Sequence, residues 1–292
     1  MTAVADFEAL RRTTLRRRRL EAALGIVVFS ALLAVSFQRS EFFTADLGGD
    51  PLGRIGVFLD RMTPDLKPEA LLQGRETRGS LYWWFYDLPK WLRLAWQTLE
   101  MAIVATVLGA AGALVASFLC ARNLMPWSPV RFAVRRTLEA IRTLPDIIMA
   151  LVLVAAFGVG PLAGVITLAI STMGSLGKLF SEINEEVDPR PLEALTAAGA
   201  GLVQKIRYGV APQVLPNYAS YALIRLEGNV AGAAALGIVG AGGIGLELQR
   251  AITYTEFDTY LAILLLIVAV IFLIDMLSEW LRHRLIGLGA ER

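Results

Sequence analysis

The sequence holds one cysteine and one histidine in 292 residues, and only 18% of it is charged. With Cys120 alone, no internal disulfide can form and no thiolate cluster can hold a metal. With His283 alone, the HExxH zinc helix, the Ser-His-Asp triad and any His-rich metal site are excluded together. A soluble domain carries about 25% charged residues. Here the shortfall is matched by 55% hydrophobic residues and a mean hydropathy of +0.56. The alternating segments of ~10 residues that would build a barrel are missing as well. The net charge of +2 decides little; where the charges stand decides more, and no nucleic-acid partner is expected.

What is present is a set of apolar runs, at 20–38, 98–121, 143–159, 162–180, 217–238 and 259–281. Each is near the ~20 residues that carry a helix across ~30 Å of hydrocarbon. The third and fourth are joined only by "GVGP", in which Gly160-Pro161 is a breaker, so a tight helical hairpin is expected. The fold class is therefore an all-α polytopic membrane protein with about six transmembrane helices. Lys and Arg orient it. Arg11, Arg12 and Arg16 to Arg19 precede the first run, and Arg122, Arg131, Arg135, Arg136 and Arg142 separate the second from the third. Arg190, Lys205 and Arg207 lie between the fourth and fifth, and Arg282 and Arg284 follow the sixth. Six spans put all four groups on one side, the cytoplasm, with both termini inside and residues 39–97 outside.

The basic stretch before the first run also fits a signal peptide, but "AVSFQRS" is a poor small-x-small cleavage site, so an uncleaved anchor is expected. The run "LYWWFYDLPKWLRLAW" reads either as an interfacial aromatic belt or as a collar that touches a partner.

Residues 181–216, "SEINEEVDPRPLEALTAAGAGLVQKIRYGVAPQVLP", are too polar to span. Asp188-Pro189 is a cap and first-turn pair. Leu192, Leu195, Leu202, Val203 and Ile206 recur at helical spacing, and Gly199 and Gly201 interrupt them where a bend is cheap. Two short helices with an exposed apolar face follow. They suit either a groove on another protein or the membrane surface.

"EALTAAGAGLVQKIRYGVAP" resembles the EAA motif of ABC importer permeases, E-A-A-x3-G-x9-I-x-L-P. Glu193, Ala194, Gly199 and Pro212 match at the right spacing. Leu195 stands for the second alanine, Gly209 for the isoleucine and Ala211 for the leucine. The likeness extends through "RTLPDIIMALVLVAAFGVGPLAGVITLAI", "MGSLGKLFSEINEEVD", "IRYGVAPQVLPNYASYALIRLEGNV" and "LGIVGAGGIGLEL", from about residue 85 to 285. These stretches are similar to the phosphonate-type branch of the family, with methionine-type permeases as neighbours.

That resemblance implies a type I ABC importer (MetI-like) permease fold. Residues 1–97 would form a basic tail, a first anchor and an extracytoplasmic segment, and 98–292 a permease core with its coupling loop at 181–216. Glu193 and Ala194 would lie on the face that docks to an ATPase subunit, Gly199 would make the turn, and Pro212 would end the second helix. Implied partners are a pair of ABC ATPase subunits, an extracytoplasmic solute-binding protein, a second copy of the chain and the lipid bilayer. The chain itself would hold no cofactor, ATP and magnesium belonging to the ATPases, and no catalytic or metal site. The implied setting is a bacterial inner membrane. The implied function is alternating-access import of phosphonate, phosphite or phosphate. A methionine-type or other small-solute permease, an ATP-independent channel or carrier, and a membrane enzyme are the competing readings.

Three features inside the runs remain. Gly240, Gly242 and Gly245 fit the G-x-G-x-x-G of a dinucleotide loop, but that motif needs a strand before it, and an apolar helical run stands there. With Gly243 these residues read as a close-packing surface or as a helix break lining the pathway as a gate. Arg225, Glu227 and Asn229 are polar groups inside the fifth run, where ionisable side chains face a cavity or a partner. Arg225 either pairs structurally with Glu100, Asp146 or another span, or touches an anionic cargo. "GSLGKLF" is no Walker A loop: Thr172 occupies its first glycine position, Leu179 follows Lys178, and Lys178 reads as a headgroup anchor. Asp275, Glu279 and His283, four apart, read as a solvated or headgroup-facing stripe.

Overall fold

A computed structural model describes residues 2–40 and 50–290. Residues 41–49, part of the segment expected outside the membrane, lie beyond the described ones. The chain forms two units, Met1–Leu59 and Asp60–Arg292.

In the first unit the basic tail and the first apolar run are one 38-residue helix, α1 (Thr2–Arg39). Its sequence is dominated by Leu, Ala and Arg, has no proline, and contains one glycine, so nothing in it stops the helix. It leads to α2 (Pro51–Met62), where Asp50 accepts a hydrogen bond from the Gly53 N–H at 2.9 Å and Pro51 supplies the first-turn φ.

The second unit follows with a 3-10 turn at Pro68–Ala70, α3 (Leu81–Trp84), α4 (Leu88–Cys120), α5 (Ser128–Thr143), α6 (Asp146–Phe157) and α7 (Pro161–Glu185). Then come α8 (Pro189–Ala197), α9 (Leu202–Gln204), a π turn at Lys205–Val210, α10 (Ala211–Gly237), α11 (Gly245–Thr253) and α12 (Phe257–Ala290). The centre is the pair α4 and α7. Their backbones meet at Gly109, where a Cβ would stand 2.5 Å from the Thr172 Cβ and 2.7 Å from the Ala169 carbonyl oxygen. Leu138 and Ile141 of α5 fill the space over Gly177 and Gly174 of α7.

Among the described residues four helices are long and apolar enough to cross a bilayer: α1 from Arg11, α4, α7 and α12 up to Arg284. The third apolar run is not the straight span expected. Its helix, α6, has 12 residues and reaches only ~18 Å. It completes a crossing only together with α5, from which it is bent by 89°. The cause is Leu144-Pro145, which cannot continue the α5 helix. The fifth run is α10, 27 residues and long enough to cross. Its polar centre of Arg225, Glu227 and Asn229 leaves it outside the set that qualifies by composition.

The aromatic run divides between roles that the sequence did not separate. Trp91 is 1% exposed at the heart of a cluster with Ile244, Leu248 and Ile263. Trp84 donates its indole N–H to the Asp258 carbonyl at 2.9 Å. Tyr82 and Trp96 remain exposed. Lys90 bonds Glu247 at 2.7 Å and so ties the start of α4 to α11. Trp91→Ala is expected to cost ~3–5 kcal/mol, as removal of a buried aromatic does. A lowered apparent melting temperature in detergent, set beside an unchanged one for Trp96→Ala, checks it.

Candidate functional site

The loop between α7 and α10 is built by caps. Asp188 accepts from the Arg190 N–H at 3.0 Å and starts α8. At the other end Gly199 has φ +76°. The Ala200 N–H donates to the Leu195 carbonyl at 2.9 Å and the Gly199 N–H to that of Thr196 at 3.0 Å. This is a Schellman ending, which needs a left-handed residue where glycine stands. Gln204 then reaches back to the Gly201 N–H at 2.9 Å and opens α9. Glu193 and Ala194 are exposed, and Leu192 and Leu195 turn inward against Gly209. Glu193, Thr196, Ala197 and Lys205 border a cleft of about 640 Å³. Val203 and Tyr208 are exposed apolar side chains on the second arm.

Pro212 does not end that second arm. The chain stays helical through the π turn, whose last bond runs from the Ala211 N–H to the Ile206 carbonyl, and Pro212 follows in the first turn of α10. Gln213, a residue that sequence reasoning passed over, holds the loop together. Its amide NH2 donates to the Gly209 carbonyl at 2.7 Å, and its amide oxygen accepts from the Asp188 N–H at 3.0 Å. No local pattern announces this bond, because the two ends it joins are 25 positions apart.

The glycine-rich stretch is a helix break, as one reading of it required. α10 ends in a second Schellman pair, the Ala241 N–H to the Leu236 carbonyl at 3.1 Å and the Gly240 N–H to that of Gly237 at 3.0 Å, with Gly240 at φ +91°. The Ile244 N–H donates to the Thr98 hydroxyl at 2.9 Å. A helix, not a strand, precedes the turn, and the N–H groups of Gly240, Ala241 and Ile244 are spent on protein acceptors, so the turn is not the strand-to-helix loop that a dinucleotide needs. Residues 240–245 are buried. A Cβ at Gly242 would meet the Pro161 nitrogen at 2.8 Å, and one at Gly243 the Thr98 hydroxyl oxygen at 2.5 Å. The turn is thus packed between α4 and the α6–α7 corner, and the Gly160 N–H bonds the Gly240 carbonyl at 3.0 Å.

Arg225 and Asn229 enter one polar network at mid-helix, and Glu227 points elsewhere. Asn229 is 1% exposed and donates to the Thr106 hydroxyl at 2.8 Å and the Thr172 hydroxyl at 2.9 Å. Arg225 donates through Nε to Thr172 at 3.2 Å and through Nη2 to Ser171 at 2.7 Å. Among the described residues no carboxylate lies within 4.0 Å of the guanidinium. Of the two readings of Arg225, the ion pair with Glu100, Asp146 or another span is not formed among the described residues, and hydroxyls take its place. Glu100 instead accepts from the Trp96 indole at 2.6 Å, and Asp146 acts on Arg225 only at longer range. Thr172, notable in the sequence only as the wrong residue for a Walker loop, is the hub of this network. Glu227 faces α12, where Asp275, Glu279 and Arg282 act on it. Its Oε1 is buried without a hydrogen bond among the described residues. Asp275, Glu279 and His283 are all exposed along the α12 stripe, with Glu279 and His283 3.7 Å from each other. Lys178 pairs with Glu182 at 3.8 Å on a half-exposed face.

Comparison with known proteins gives one family match. The model described as "Binding-protein-dependent transport system inner membrane component" fits residues 113–287. The phosphite transport system permease protein PtxC of Stutzerimonas stutzeri is 42% identical over 199 residues, 68% of this chain and 72% of that one. The putative phosphite transport system permease protein HtxC of the same organism is 34% identical over 276 residues, 94% of this chain and 90% of that one. The phosphate-import permease protein PhnE of Mycolicibacterium smegmatis is 38% identical over 190 residues, 65% of this chain and 36% of that longer one. Among solved structures, the inward-facing MetNI methionine ABC transporter aligns with a TM-score of 0.57 at 24% identity over 67% of this chain and 95% of that one. A bacterial ABC transporter that imports the polysaccharide alginate aligns with a TM-score of 0.59 at 16% identity over 86% of this chain and 98% of that one.

Proposed function

Because the chain belongs to the family of binding-protein-dependent transport system inner membrane components, we propose that it is the membrane-spanning subunit of an ATP-driven importer. Its cargo in this reading is phosphonate or a related phosphorus oxyanion, phosphite or phosphate. The relatives are named for phosphite or phosphate transport. The methionine transporter shares the fold, and at 24% identity it lends no cargo. The chain is a multi-pass membrane protein and a transport subunit. In the proposed arrangement its termini and the α8–α9 loop face the cytoplasm of a bacterial inner membrane, in keeping with the Lys and Arg groups. ATP hydrolysis falls to a separate pair of ATPase subunits, which hold ATP and magnesium. Two copies of the chain supply two loops to that pair, since a closed two-fold assembly duplicates every docking site. A binding protein delivers the cargo on the other side.

The observation that carries this reading is the built loop. Glu193 and Ala194 are exposed on one arm, Val203 and Tyr208 on the other, and caps at Asp188 and Gly199 fix the bend. A pre-formed corner of this kind transmits force from a partner to α10 without first having to be ordered. ATPase closure would move the loop and rock the spans between inward-open and outward-open states. Gly240, Gly242, Gly243 and Gly245 would then form the pivot of the gate, with Arg225 and the buried Asn229 in the polar network beside it and Glu227 on the other side of α10.

The test is co-purification from native membranes in mild detergent. An ATPase is expected to accompany the native chain and to be lost from Gly199→Asp, which places a carboxylate at the corner. A native chain that repeatedly purifies alone, with solute flux that does not need ATP, overturns the reading in favour of a channel or carrier.

A further inference from the structure

The groups around Arg225 have unequal hydrogen-bond accounts. Thr172 is saturated: its oxygen takes Arg225 Nε–H and the Asn229 amide, and its hydroxyl faces the Asn229 oxygen at 3.3 Å. Ser171 is different. Its oxygen accepts from Arg225 Nη2 at 2.7 Å, while its own O–H finds no acceptor among the described residues. The second terminal nitrogen of Arg225, Nη1, likewise makes no hydrogen bond among them. Both residues are only half-buried. The adjoining face of α10, Tyr221, Ile224, Gly228 and Ala231, is exposed, and nothing stands within 4 Å of a Cβ at Gly228. Ser171 lies ~15 Å in from the start of α7, near mid-helix.

A guanidinium at that depth is expensive against lipid, and such groups face a cavity or a partner. Asp146 acts on it from a distance without an ion pair, so its positive charge is not neutralised by contact. The Nη1 hydrogens and the Ser171 O–H are donors without acceptors, side by side. A tetrahedral oxyanion, which offers only acceptors, fits that deficit, since Arg binds such groups through paired N–H bonds.

We propose that Arg225 and Ser171 form a transient oxyanion site half-way along the transport path, with Thr172 and Asn229 as positioning residues that aim the guanidinium. This inference rests on the importer reading and adds where the cargo touches this chain. The site is weak by design, because one arginine and one hydroxyl hold an anion loosely enough to release it.

The test uses the assembled transporter, with its ATPase and binding protein, in liposomes. Ser171→Cys adds a reactive thiol, and the native chain serves as the background because its only cysteine, Cys120, is 1% exposed. The sulfonatoethyl (anionic) and trimethylammonioethyl (cationic) methanethiosulfonates are compared, with and without ATP and vanadate. An attracting guanidinium should make the anionic reagent react about tenfold faster than the cationic one, in the range of electrostatic steering. Adding Arg225→Gln should abolish that preference. Millimolar phosphite, inorganic phosphate or methylphosphonate should slow the reaction only while Arg225 is present. A thiol unreactive in every nucleotide state, or one that reacts alike with both reagents, overturns the site and leaves Arg225 as a clamp between α7 and α10. ATP-driven uptake by the native chain is measured in the same liposomes. If it persists while the thiol behaves in either of those ways, the importer reading stands and this inference alone falls.

Discussion

Gly245→Ala is expected to yield no monodisperse protein, although alanine is the mildest substitution available. A Cβ at that position would lie 2.0 Å from the Ala234 carbonyl oxygen and 2.8 Å from the Gly237 Cα. Both obstacles are backbone, so no side chain can swing aside to make room. Gly237 faces the same contact from the other side: a Cβ built there would stand 2.6 Å from the Gly245 Cα. The last turn of α10 and the first of α11 therefore touch main chain to main chain. Separating them would also pull Ile244 from Thr98 and Gly242 from Pro161. The cost reaches the ~4–5 kcal/mol or more that marks exceptional core damage. Gly240→Ala is the control. Its obstacles are Val154 and Val159 methyl groups at 3.5 Å, and the penalty is the ~1–2 kcal/mol of a left-handed alanine. Size-exclusion profiles and apparent melting temperatures of the two variants decide it: Gly245→Ala should be lost, and Gly240→Ala should survive with a melting point lowered by several degrees. Equal behaviour would show that backbone conformation, not close approach, dictates these glycines.

The same stretch shows how far the sequence carries. Its G-x-G-x-x-G spacing was legible, and so was the break it makes in an apolar helix. What it packs against was not: Thr98 is 146 positions away from Ile244, and no local period encodes such a pair. The loop between α7 and α10 was more readable because its determinants are local. Asp188-Pro189 and Gly199 cap α8 where the residue types placed them. Pro212 misled, because a proline late in a helical pattern and one in the first turn of the next helix look alike in sequence. The third span misled for a related reason. Apolar content cannot show an 89° bend, and only Leu144-Pro145 hinted at one. For Arg225 the search for a carboxylate partner was the wrong search, since Ser171 and Thr172 lie on a different helix and carry no charge.

The departures at 195 and 209 from the family pattern form one feature, and this gives the second large effect. A Cβ at Gly209 would stand 3.2 Å from Leu195 Cδ1 and 3.5 Å from Leu192 Cγ. The larger residue at 195 thus occupies the space that the missing side chain at 209 leaves free. Gly209→Ile, which restores the family residue alone, should drive its branches into Leu195, tilt α8 away from the π turn, and strain the Gln213 bond to the Gly209 carbonyl. ATP-driven uptake is expected to fall at least about tenfold, the equivalent of ~1.4 kcal/mol of lost coupling. Leu195→Ala alone leaves a half-exposed gap and should have a much smaller effect. The double variant, Leu195→Ala with Gly209→Ile, restores small against large and should recover most of the uptake, because contacting residues couple by 0.5–3 kcal/mol or so in such cycles. ATPase activity stimulated by the loaded binding protein is the second readout. It should be weak or unstimulated in Gly209→Ile and recover in the double. If the double variant instead loses the product of the two single losses, residues 195 and 209 act independently. The loop's geometry would then owe nothing to their exchange of volume.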